Sequence, residues 1–117
     1  MSTQIPENKL REAIALSNAA ADILDKAVVM LREEPLLPGV GDAAAIALGY
    51  DPKTSKEYQL ASEASFMLFI VGATREGRDM HTNENTIWAF GKASKHLRTI
   101  ASQEAARLSQ LETAVEA

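Results

Sequence analysis

The only tryptophan of this chain stands among cations. Trp88 is followed by Lys92 one helical turn on, by Lys95 seven residues on, and by Arg98 a turn beyond that. On a helix these four share one side. Arg75 and Arg78 lie just upstream. The stretch from Arg75 to Arg98 thus holds five basic residues and two histidines against three acids, in a chain that is otherwise net negative. An indole beside ammonium and guanidinium groups suits stacking on a base while neutralising phosphate, or anchoring an acidic partner. The competing reading packs Trp88 under another helix, with the lysine and arginine stems lying around it. Trp88, Lys92, Lys95, Arg98, Arg75 and Arg78 are the candidate residues for binding a ligand or partner. An acidic protein with a compact basic patch favours a small nucleotide-like anion or a defined partner over long duplex DNA.

Other chemistry is less well supported. Gly39-Val40-Gly41-Asp42-Ala43-Ala44 fits a G-x-G-x-x-A spacing, which can seat a pyrophosphate on a helix N-terminus. That use needs a preceding strand. Here two prolines and a charged helix end precede it, and Asp42 would repel the phosphate, so a loop with a helix cap is the better reading. Asp79, His81 and Glu84 resemble metal ligands but fall in a turn and a helix start, where such residues cap. His96 is about four turns along the last helix and does not complete a set. No serine sits in a nucleophile elbow, and the absence of cysteine excludes disulfides and thiolate chemistry. No catalytic residue, metal site or cofactor is assigned.

Positioning these residues falls to helices. Leu10, Ile14, Ser17, Ala21, Leu24, Val28 and Leu31 step by four and three. So do Ile87, Phe90, Ser94, Leu97, Ala101, Glu104, Leu108, Leu111 and Val115. That spacing keeps one seam of each helix against a partner. Glu104, a carboxylate at a seam position, is expected to pair with an arginine across an interface, flank the seam at a loosened end or set register. The pattern predicts helices over about 6–33, 42–49, 53–77 and 83–115. Pro6 suits a first helical position. Asp42 is the expected N-cap of the short helix and Gly49 its end. Phe66 to Val71 is apolar all round and reads as the most buried segment, a short strand being the rival; Gly72 marks a close helix crossing. Thr82 or Asn83 caps the last helix, with Asn85 where Glu or Gln would complete a capping box.

The whole chain, 1–117, reads as a single all-α domain, an antiparallel bundle of three long helices and one short one. At 117 residues it can bury a core without staples. Only 5% of it is aromatic, so Ala, Leu, Ile and Val must do the packing. Heptad seams on the first and last helices suggest a homo-oligomer made through them. The net charge of −4 argues against general binding to nucleic acid or to an anionic membrane. No secretory signal or membrane span is visible, so a cytoplasmic place is expected. The expected function is that of a small non-enzymatic interaction protein: an adaptor, regulator or inhibitor of the kind common among phage and accessory proteins. The alternative is a protein that binds or sequesters a nucleotide-like anion through the Trp/Lys/Arg patch.

Overall fold

The computed structural model describes residues 7–35 and 37–116, the side chains through 113. Pro6 and the side chain of Val115 lie outside the described residues. The described residues form four helices: α1 (Glu7–Glu33), α2 (Val40–Ala47), α3 (Lys56–Thr74) and α4 (Asn83–Glu116). Among the described residues there is no strand, and no helix is long and apolar enough to cross a membrane.

The two heptad seams meet each other within one chain. Leu10, Ser17, Ala21, Leu24 and Leu31 of α1 are buried, as are Phe90, Ser94, Leu97, Ala101 and Leu108 of α4. Arg11 reaches Glu112, Arg98 reaches Asp22, and Asn83 lies against the Leu31 carbonyl, so the helices are antiparallel along most of their length. Alanines floor this contact: Ala20, Ala21, Ala27, Ala89 and Ala93 are fully enclosed. Without bulk beyond Cβ, they let the backbones approach closely. α3 is likewise antiparallel to α4, with Gly72 level with Trp88 and Phe69 edge-on to Phe90, ring centroids 5.9 Å apart. α1 and α3 therefore run in the same direction, and α2 with its flanking turns carries the chain back between them. The molecule measures 53 × 33 × 22 Å. Its long dimension is essentially that of α4, whose 34 residues span about 51 Å.

The helix ends follow local chemistry, with some departures from the sequence reading. α2 opens at Val40, because Gly39 adopts φ 64° and turns the chain there. Asp42 is consequently a first-turn residue rather than the cap; it still opposes the positive helix end. Ser55 is the cap of α3, its Oγ accepting from the Tyr58 amide at 2.9 Å. α3 stops at Thr74, three residues short of Gly77, which turns the chain at φ 65°. Thr82 Oγ1 accepts from the Asn85 amide at 3.2 Å and starts α4. The Asn85 side chain spans the preceding turn instead of closing a capping box, donating to the Asp79 carbonyl at 2.8 Å.

The largest correction concerns α3. Its apolar middle is not the most buried segment. Phe66 is 63% exposed, Met67 58% and Ile70 41%. α1 and α4 cover only one side of this helix, the side carrying Ala61, Ser65 and Gly72, and among the described residues no element lies over Phe66, Met67 and Ile70.

Candidate functional site

The cations singled out by the sequence divide between two sides of α4. Arg98 faces α1, its Nη2 2.8 Å from Asp22 Oδ1 and 2.5 Å from Asp25 Oδ2. The buried Ser94 donates to the other oxygen of Asp25 at 2.6 Å. The hydrogen bonds to Asp22 and Asp25 raise the guanidinium's already high pKa against the opposing effect of burial. Arg98 thus ties α4 to α1, and its charge is answered within the chain. Lys95 opens on this same side, where a shallow groove of about 560 Å³ runs past Asp25 and Arg98. Lys92 lies on the α3 side, at the edge of a different groove.

Trp88 is half-buried, and both sequence readings describe part of its surroundings. It packs on α3 so closely that a Cβ at Gly72 would stand 2.9 Å from its Cζ3. The crossing expected at Gly72 is therefore real. From outside, Arg78 stacks on the indole with its guanidinium carbon 4.4 Å from the ring centroid. The same Arg78 donates to Glu76 at 2.8 Å and to Asn85 at 3.1 Å. Arg75, at the C-cap of α3, is exposed and makes no ion pair among the described residues. The structure thus joins Arg78 to Trp88, separates Lys92 from Lys95 and Arg98, and neutralises two of the five cations.

The remaining candidates serve local structure. Asp42 accepts a hydrogen bond from the Tyr58 hydroxyl, joining α2 to α3 beside Gly41. Burial and this bond raise the Tyr58 pKa above 10.0, with Ser62 acting in the opposite sense. Asp79 accepts from the His81 amide at 3.0 Å and holds the turn before α4. Among the described residues no three His, Asp or Glu side chains gather as metal ligands. Glu104 is half-buried at the seam's edge and lies 3.5 Å from Arg107 on its own helix.

What the sequence reading missed is the open face of α3. Lys56, Gln59, Glu63, Phe66, Ile70 and Ala73 repeat the three-and-four step of the other two helices, and all six are exposed. The N-terminal half of this third seam is polar and its C-terminal half apolar. Two grooves flank it. One, of about 270 Å³, lies towards α1 and α2 with Phe66 on its wall and Ile23 and Ala27 deeper in. The other, of about 500 Å³, lies towards α4, with Met67, Leu60 and Ile100 lining it and Glu63, Lys92 and His96 at its rim. Such a ridge between hollows can seat side chains of another macromolecule. The polar first half of the seam concealed it, although the three-and-four spacing was a signal that could have found it.

Comparison with known proteins finds no family model that matches the chain, no similar curated protein and no similar solved structure.

Proposed function

We propose that this is a helical interaction protein, an adaptor, regulator or inhibitor, that acts by binding a macromolecular partner on the open face of α3. The observation that carries this reading is the alignment of Phe66, Met67 and Ile70, all substantially exposed, on one helix face between two apolar grooves. An exposed cluster of large apolar side chains rimmed by polar ones costs solubility and marks a binding surface more often than an accident. Lys92 and His96 border the same face and supply polar contacts at its edge. The anion-binding reading is weaker, because Arg78 and Arg98 are engaged by carboxylates and the other cations do not converge.

The test uses the tagged full chain as bait in an extract of its source cells, alongside Ile70→Glu and Lys95→Glu baits. Wild type and Lys95→Glu are expected to retain the same protein, and Ile70→Glu to lose it with its far-UV circular dichroism unchanged. Equal retention by Ile70→Glu would remove α3 as the docking face.

A further inference from the structure

We infer that the groove between α1, α2 and α3 is a binding site for a small organic cation, an ammonium group carried on an aromatic or aliphatic body. The site stands apart from partner docking on α3, because its occupancy is measured on the free chain.

The chain is poor in aromatic residues, with three Phe, two Tyr and one Trp. All three phenylalanines and Tyr58 line this one groove, which leaves only Tyr50 and Trp88 outside it. Aromatic side chains gathered for packing alone close over one another. These leave about 270 Å³ open, and Phe66 on the wall is 63% exposed. Phe69 and Phe90 meet at 85° with their centroids 5.9 Å apart, so their planes form a corner and not a stack. The buried Ile23 and Ala27 make the floor. An apolar cavity of about 150 Å³ admits a benzene ring, so this groove has room for a ring with a small head group.

Charge selects the head group. The lining carries no charged side chain. One carboxylate stands at its edge: Asp42 follows Gly41, which lines the groove, and accepts from the hydroxyl of Tyr58, which also lines it. That bond uses one carboxylate oxygen, and Asp42 makes no ion pair among the described residues. The buried Ser65 hydroxyl on the α3 wall is already committed to the Ser62 carbonyl at 3.0 Å. What remains to receive a ligand is an anionic oxygen and aromatic rings, whose faces are also negative. Both attract a cation. A carboxylate or phosphate finds no lysine or arginine on the lining to hold it, whereas an alkylated ammonium ion presents carbon to the apolar walls and its charge to Asp42 and the rings.

Benzyltrimethylammonium, titrated against the full chain by proton NMR in about 0.15 M salt, tests this. Ring currents are expected to move its N-methyl resonance upfield, with a Kd of about 1 mM. Phenylacetate, the same ring with an anionic head, should bind at least about tenfold more weakly, and neutral benzyl alcohol at least about threefold more weakly. Phe66→Ala and Asp42→Asn should each weaken the cation about threefold. Met67→Ala, in the groove towards α4, should leave its affinity unchanged. All three substitutions fall at exposed positions, and unaltered far-UV circular dichroism shows that a lost shift reports the site. No upfield shift up to about 10 mM would overturn the inference. So would phenylacetate or benzyl alcohol binding as tightly as the cation, or an affinity indifferent to both Phe66→Ala and Asp42→Asn.

Discussion

Replacing Gly72 by alanine sets two opposing effects against each other at a single atom. Gly72 lies in the last turns of α3, where a Cβ relieves glycine's helix penalty of at most about 1 kcal/mol. That Cβ would stand 2.8 Å from Met80 Sδ, 3.3 Å from Met80 Cε and 2.9 Å from Trp88 Cζ3. The methionine end can rotate away. The indole cannot, because it is a rigid ring confined between α3 and the stacked Arg78. Bringing Cζ3 from 2.9 Å to an ordinary contact at 3.4 Å means moving the whole ring by about half an ångström. Overpacking of this kind costs about 1–3 kcal/mol, so Gly72→Ala is expected to lose about 1 kcal/mol net. Gly91 is the control, since a Cβ there meets nothing within 4 Å, and Gly91→Ala should gain about 0.5–1 kcal/mol. Urea unfolding followed by circular dichroism gives the energies, and the emission of the single tryptophan reports whether Trp88 has moved. Gly72→Ala as stable as wild type with unchanged emission would refute the close crossing.

Two further outcomes follow from the same packing. Leu97→Ala should cost about 2–5 kcal/mol, because Leu97 is 2% exposed, whereas Phe66→Ala should cost no more than about 1 kcal/mol. Comparable losses in urea titrations of dilute protein would return the apolar run of α3 to the core. At alkaline pH, Tyr58 holds its proton more tightly in the folded chain than the usual 10.0 allows. The stability it contributes is therefore complete below about pH 10 and is lost as pH rises through the folded value. A phenolate absorbance titration in a Tyr50→Phe background should show the raised value, and Tyr58→Phe should remove that share of the alkaline loss; an unshifted phenolate would contradict it.

The α1–α4 pair was legible because both partners carry the same spacing, and ten of the described seam residues, from Leu10 to Leu31 and from Phe90 to Leu108, are buried where the helices meet. Ser17 and Ser94 were legible as seam members for the same reason, although nothing local showed that Asp25 would accept the Ser94 hydroxyl. The face of α3 was not legible. An apolar run such as Phe66–Val71 reads as buried when the number of helices packed on it is unknown, and here only two are. The cation cluster was misjudged in a related way. A helical wheel places Lys92, Lys95 and Arg98 on one side, but α3 and α1 each adjoin part of that arc and divide it. Asp42 was assigned a capping role because its residue type fits one; the positive φ of Gly39 moved the helix start two residues earlier.

The meeting of α1 with α4 also sets an order of events during synthesis. Contacts such as Leu31 with Asn83 and Arg11 with Glu112 join residues 52 and 101 positions apart. α1 therefore leaves the ribosome long before the helix that completes it, and at ordinary elongation rates the wait is on the order of ten seconds. Throughout that interval Leu10, Leu24 and Leu31 have no α4 to cover them. Assembly of this bundle is a late step, and nascent α1 is the segment most in need of a chaperone's shelter.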